Sequence, residues 1–249
     1  MGRIKLSLRA FLPAMIFIAA FMTIVYMGAK TAAPKTGGGD LLVLLYHTFS
    51  DQPEQDPGLY TTAEKFERDI QALLEGGLES ISLYDYADGS YDPERRYFAI
   101  TFDDGYLSNY QVAFPILQRL GCYADIFKNT ANDYLDHHFS YDQAREMEES
   151  GLISIHSHLP DHVIHPSEYP IEEFTLLLRQ SFETLERELG PRRHRLFAPP
   201  FGDYTQKTYN AAAGENVKLQ FVQERHFDAP DLILRINIAH HTDITRLLR

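Results

Sequence analysis

The chain has no tryptophan, a single cysteine and a deficit of basic residues. With Cys122 alone, no disulfide can form within the chain. Its apolar, strand-like surroundings suit a buried structural thiol. Lysine and arginine number 23 against 35 aspartates and glutamates, for a formal net charge of −12. Four of those bases (Arg3, Lys5, Arg9, Lys30) fall in residues 1–30, which hold no acid, so the remainder is more acidic still. So acidic a domain does not bind nucleic acid by neutralising phosphates.

Long apolar runs are scarce too. The exception is Ala10 to Ala29, 20 residues without a charge behind three bases. That length spans the hydrocarbon core of a bilayer. The basic flank would keep residues 1–9 in the cytoplasm and place the rest outside. A signal peptide cut near Ala29 to Ala33 is the alternative. Both put the following domain outside the cytoplasmic membrane, either anchored or secreted. Residues 30–40, with Pro34 and Gly37-Gly38-Gly39, are a flexible linker.

Residues 41–249 suffice for one domain with a sizeable core. Hydrophobic content of 44% and charged content of 23% are ordinary for a globular chain. No internal repeat is present. Leu41 to Tyr46 is a continuous apolar run of the kind found in buried parallel strands. Thr61 and Glu64 have the spacing of a capping box, opening a helix that ends at Gly76-Gly77. Short strands are predicted at Ser80 to Leu83, Tyr97 to Phe102, Tyr123 to Phe127, Ile153 to Ile155, Leu196 to Ala198, Leu219 to Val222 and Leu232 to Ile238. Helices are predicted after Gly105 (kinked or started late by Pro115), at Tyr141 to Ser150, Ile171 to Leu189 and Thr205 to Ala213. Strand–helix alternation implies parallel βαβ units.

Two stretches carry chemistry. Tyr97 to Phe102 ends abruptly in Asp103-Asp104-Gly105. Adjacent acids at a buried strand end repel unless a cation lies between them or one is protonated. A divalent metal would answer this, with one carboxylate as ligand and the other free as a base. A plain Asp-Gly turn is the competing reading. Some 50 residues on, a strand runs into His156-Ser157-His158-Leu159-Pro160-Asp161-His162. A carboxylate with two imidazoles is a common set for a catalytic zinc ion with an open position. The i, i+4 spacing of His158 and His162 lets both rings reach one ion.

In these residues the sequence resembles the NodB-type polysaccharide deacetylases, a carbohydrate esterase family 4-like group. Thr101 to Gly105 matches their T-F-D-D-G motif. Ile155 to His162 matches their histidine motif in part, with Leu159 where Ser or Thr is usual. Pro200-Phe201-Gly202 matches the end of a third motif, with Ala198 in place of an arginine. Val43 to His47 looks like the opening strand of one subgroup. The resemblance spans Leu41 to Ile238, and it implies a distorted (β/α) barrel of about seven units with the site at the C-terminal strand ends.

It further implies Asp104, His158 and His162 as metal ligands, with Zn²⁺ foremost and Co²⁺ or Ni²⁺ possible. Asp103 would be the general base and the Phe201 amide an oxyanion donor. Tyr106, Pro200 and Phe201 are candidate substrate-binding residues. Arg235, on the last strand, is placed with that group and could also replace the missing arginine beside the base. The family's tryptophan motif has no counterpart. Its acid histidine is not matched well by His240 or His241, and His47 is the other candidate for the acid. His156 is expected near the ligands or at the surface, and His165 is a lesser alternative to His162.

The implied activity is metal-dependent removal of N-acetyl groups from an amino-sugar polymer such as peptidoglycan, poly-N-acetylglucosamine or a chitin-like chain. The partners are then the polysaccharide and the membrane, with no nucleic acid. Ester or small-amide hydrolysis on the same fold, or carbohydrate binding without catalysis, are the rival readings.

Overall fold

The computed structural model describes residues 41–132, 137–161 and 165–248. The expected anchor at 10–29 and linker at 30–40 lie outside these residues, as does His162. Among the described residues, no helix is long and apolar enough to cross a membrane.

The acid-bearing strand lies inside a parallel sheet. In chain order the strands are β1 (Leu41–Tyr46), β2 (Thr48–Phe49), β3 (Tyr60–Thr61), β4 (Glu79–Ser80), β5 (Tyr97–Asp104), β6 (Ala124–Lys128), β7 (Ile153–Ser157), β8 (Arg195–Phe197), β9 (Val217–Val222), β10 (Leu232–Leu234) and β11 (Ile236–Asn237). Parallel pairings run β10-β9-β8-β7-β6-β5-β1-β11, with β4 added on β5, and β2 and β3 pair separately. The two ends of that path are consecutive in the chain. Only Arg235 separates β10, paired to β9, from β11, paired to β1. The sheet therefore curls round until its edges nearly meet, as a (β/α) barrel requires. All eight residues of β5 are buried, because one side faces the barrel interior and the other the surrounding helices.

Those helices are α1 (Ala63–Glu75), α2 (Leu83–Asp88), α3 (Phe114–Leu120), α4 (Tyr141–Glu149), α5 (Ile171–Leu189) and α6 (Gln206–Gly214). α5 buries Phe174, Leu178, Phe182 and Leu185, spaced along a single face. Truncating such a phenylalanine to alanine costs about 3–5 kcal/mol.

Several local expectations shift. The N-cap of α1 is Thr62, whose hydroxyl accepts from the Lys65 amide, one residue later than the Thr61 expected. Leu83 opens α2 behind the Ser82 cap instead of closing a strand. Pro115, by contrast, starts α3 late as expected, lying in its first turn, and a π-helical turn (Asn109–Ala113) precedes it. The last strand breaks at Arg235, since β10 and β11 pair with different neighbours.

Register decides what meets at the strand ends. Asp104 lies level with Lys128 and Lys128 with Ser157, which pairs with Phe197. His158 and Ala198 are therefore the first residues beyond their strands. Tyr46 lies level with Phe102, so His47 follows β1 beside Asp103.

Candidate active site

The turn that ends β5 sets the directions of the two acids. Asp104 and Gly105 are both left-handed, with φ of 70° and 79°. Aspartate tolerates that region better than most residues, and such outliers persist where surrounding structure enforces them. Glycine is required next, since a Cβ at Gly105 would sit 2.9 Å from the Lys128 Cγ. The Gly105 amide donates to the Asp103 carbonyl at 2.9 Å, tightening the turn.

Asp103 is buried and gripped by Arg235. The guanidinium donates Nη1 to Oδ1 at 2.6 Å and Nη2 to Oδ2 at 2.8 Å, the bidentate fork that suits a carboxylate. Burial alone would raise the Asp103 pKa. The charge and hydrogen bonds of Arg235, with His158 and His47 nearby, outweigh it and hold the carboxyl below its usual range. Arg235 is only 2% exposed, so it supports the acid pair and presents no surface to a substrate. Of its two expected placements, it occupies the one beside the base.

Asp104 faces His158. The His158 backbone is pinned, its amide donating to the Lys128 carbonyl at 3.0 Å and its carbonyl accepting from the Asn129 side chain at 2.7 Å. Its ring Nδ1 lies 2.8 Å from the Ala198 carbonyl, which can only accept, so Nδ1 carries the proton. In the neutral ring, Nε2 then bears a lone pair. That atom lies 3.6 Å from Asp104 Oδ1. The buried imidazole and carboxylate thus face each other at the spacing of two ligand atoms on one small divalent cation. A ligating histidine held through its other nitrogen is the usual form of such sites. Asp104 and His158 fit a metal ion by this chemistry. The Tyr106 hydroxyl also donates to Asp104. Burial first, and then that carboxylate, raise the Tyr106 pKa.

The other expected residues separate. The His47 Nδ1 is buried without a hydrogen-bond partner among the described residues. Burial lowers the His47 pKa, opposed by the charges of Asp103 and Asp104. His156, though two residues from His158, bonds Asp125 at 2.7 Å in the interior, and Asp125 also accepts from the Leu83 amide. It is thus neither a ligand nor a surface residue. His165 stacks on Phe201, with centroids 5.8 Å apart. Pro200 is buried, whereas Phe201 is 54% exposed with φ of 59°. His240 and His241 face Glu54 instead of the acid pair.

Sequence reasoning missed two contributors. The Ala198 carbonyl orients His158, and any residue carries a carbonyl, so no side-chain signal marks it. His138 stacks on Tyr106 (centroids 5.3 Å apart), and burial lowers its pKa to about 4. A cavity of about 280 Å³ opens here, lined by Asp104, Tyr106, Asn129, Asn132, His137, His138 and Asp161.

With this geometry in view, comparison with known proteins is decisive at one level. The polysaccharide deacetylase family model matches residues 89–219, more than half the chain, and the chain belongs to that family. It is also 28% identical over 175 residues to the YxkH protein of Bacillus subtilis (strain 168), spanning 60% of that protein's length. The Streptococcus pyogenes deacetylase PplD, solved with acetate, has a TM-score of 0.75 at 22% identity, over 85% of this chain and 97% of that one. IcaB from Ammonifex degensii scores 0.71 at 24% identity, over 86% and 97%. BC0361, a polysaccharide deacetylase from Bacillus cereus, scores 0.73 at 23% identity, over 84% and 68%. At these identities the solved structures establish a shared fold.

Proposed function

We propose that this protein is a metal-dependent hydrolase that removes N-acetyl groups from an amino-sugar polymer, at the outer side of the cytoplasmic membrane. One observation carries the reading: His158, held through Nδ1 by the Ala198 carbonyl, turns Nε2 to within 3.6 Å of Asp104 beside an arginine-clamped Asp103. One acid is thereby presented as a ligand and its neighbour as a base.

Asp104 and His158 would hold the ion, with His162, outside the described residues, as the third ligand. When bound, a zinc-type ion polarises the acetyl carbonyl and lowers the pKa of water to about 7. Asp103 then takes the proton from the attacking water. Arg235 keeps that carboxylate ionised, and each of its oxygens retains a second acceptor position. Attack on the carbonyl carbon gives a tetrahedral oxyanion. The amide N–H of Phe201 is the candidate donor to it, in a turn whose left-handed φ values at Phe201 and Gly202 redirect the peptides. The C–N bond breaks as the amine takes a proton. His47, beside Asp103 and with its Nδ1 unengaged, is the candidate donor in its imidazolium form, which the charges of Asp103 and Asp104 favour. Acetate and a free amino sugar leave.

Acetate release from N-acetylglucosamine oligomers and from cell-wall polymers, with and without Zn²⁺ or Co²⁺, tests this reading. Metal-stimulated release from one of them is expected. Release from acetyl esters alone would make the protein an esterase, and metal binding without any release would favour a carbohydrate-binding role. Membrane fractionation should find the full-length chain in the membrane with its domain open to external protease. A soluble form beginning near Thr31 to Pro34 would replace the anchor with a cleaved leader.

A further inference from the structure

A second ligand cluster lies away from the acid pair. Residues Pro53–Gln55 form a 3₁₀ turn that carries Glu54 toward His240 and His241, which follow β11. His241 Nε2 lies 3.0 Å from Glu54 Oε2, and His240 Nε2 lies 3.9 Å from Oε1. One ligand atom from each of the three residues lies within 4.8 Å of the others. Tetrahedral donors at about 2.0–2.2 Å from an ion are about 3.3–3.6 Å apart, so the observed spacings bracket that value.

The surroundings favour a cation here. The His240 amide donates to the Pro57 carbonyl at 2.7 Å and the Ile238 amide to the Leu45 carbonyl at 2.9 Å, so the segment bearing both rings is fixed to β1 and its loop. The His240 Nδ1 is buried with no hydrogen-bond partner among the described residues. An adjoining cleft is lined by Asp69, Glu75 and Asp243 against Lys65 and Arg68, and Lys65 is already paired with Asp69 at 2.5 Å. With Glu54 added, negative charge prevails. Two imidazoles with one carboxylate select zinc, nickel or copper over magnesium or calcium.

We propose that Glu54, His240 and His241 bind a divalent transition-metal ion that staples the 50–60 loop to the segment after the last strand. The far end of the same loop reaches the catalytic face. There Leu59 and Tyr60 line a cavity of about 390 Å³ together with Tyr106. Occupancy at Glu54 therefore fixes one wall of a cavity that shares Tyr106 and His137 with the one lined by Asp104. The ligand set stands apart from Asp104 and His158 and does not depend on the proposed activity.

The test is zinc binding by the purified full-length chain, measured by equilibrium dialysis. Asp104→Asn/His158→Ala serves as a background in which the first site is disabled. That variant should still bind one equivalent of zinc. Adding His241→Ala or Glu54→Gln should weaken this binding by at least about 10-fold. Zinc should slow proteolysis within residues 50–60 in the background variant and leave the His241→Ala derivative unprotected. Both added substitutions are at exposed side chains, and unchanged melting temperatures would show that folding is intact. A background variant that binds no zinc overturns the proposal. So does zinc binding unaltered by both added substitutions.

Discussion

Asp103 and Asp69 are both buried carboxylates facing buried cations, and their acidities move in opposite directions. Asp103 receives two parallel hydrogen bonds from Arg235, has His158 and His47 nearby, and is held below its usual pKa. Asp69 is contacted by Lys65, one turn away on α1, and by the Tyr46 hydroxyl. Burial raises its pKa, and those contacts lower it too little to compensate. The difference lies in the donor. A rigid planar fork satisfies both carboxylate oxygens, while an ammonium on a flexible stem satisfies one. A buried ion pair is therefore not by itself a sign of chemistry. What distinguishes the Asp103 end of the barrel is the imidazole of His158 facing Asp104 next to it.

The largest effect should come from breaking the fork. Arg235→Met leaves the Asp103 charge buried without its partner, which typically costs about 3–5 kcal/mol. Denaturant unfolding should register that loss, and acetate release should vanish with it. Arg235→Lys should recover little of either, because one ammonium cannot replace two parallel donors. Wild-type stability and turnover in Arg235→Met would remove the contrast between the two carboxylates.

Next comes the division of labour between the adjacent acids. Asp103→Asn should retain metal and lose about 10²–10⁴-fold in turnover, the usual worth of general-base assistance. Asp104→Asn should lose metal affinity, because a neutral amide is a poorer ligand. Metal titration against acetate release separates them, with excess ion rescuing the Asp104 variant only. Rescue of Asp103→Asn instead would reverse the roles.

A smaller effect is expected at the other pair. Lys65→Met/Asp69→Asn removes both charges and keeps an acceptor for Tyr46. Replacing a buried ion pair in this way is commonly neutral or stabilising, by up to about 4 kcal/mol. Acetate release should not change. A strong loss of stability would show that the pair on α1 is worth as much as the fork.

The smallest effect concerns pH. Because the folded pKa of Asp69 lies above its unfolded value, the folded state binds the extra proton in the interval between them. Acidification through that interval favours folding at this site, and the cost of the buried charge is complete only above it. The advantage of Lys65→Met/Asp69→Asn over the wild type should thus shrink as pH falls from 7 toward about 4. Paired melting curves across that range would show it, and a constant difference would mean that Asp69 is ionised throughout.

Much of this arrangement was legible from local pattern. Apolar runs and caps placed β1 and α5 to the residue, because each signal is contained within its own segment. The adjacency of Asp103 and Asp104, and the spacing of the histidines after β7, pointed to a metal-type site. What escaped depended on distant neighbours. Spacing separated His156 from the ligand His158, yet it did not reveal that His156 turns into the core against Asp125. Nothing within the Ile153 to His158 stretch marks that partner. The break at Arg235 was hidden for a similar reason. Leu232 to Ile238 reads as one apolar strand, and only the meeting of β1 and β9 around the barrel divides it. Ala198, notable in sequence for the arginine it replaces, contributes through its backbone.

Arg235 closes the ring of strands and also grips Asp103, 132 residues earlier in the chain. During synthesis the acid pair emerges long before the residue that neutralises it. Contacts of such sequence separation are costly to form before the rest of the fold is in place. Asp103 therefore acquires its partner only when the last strand docks, and a chain cut short before Arg235 could fill most of the barrel yet lack an assembled base. Completion of the fold and competence of the site become the same event, and a half-made protein does not carry a working hydrolytic centre.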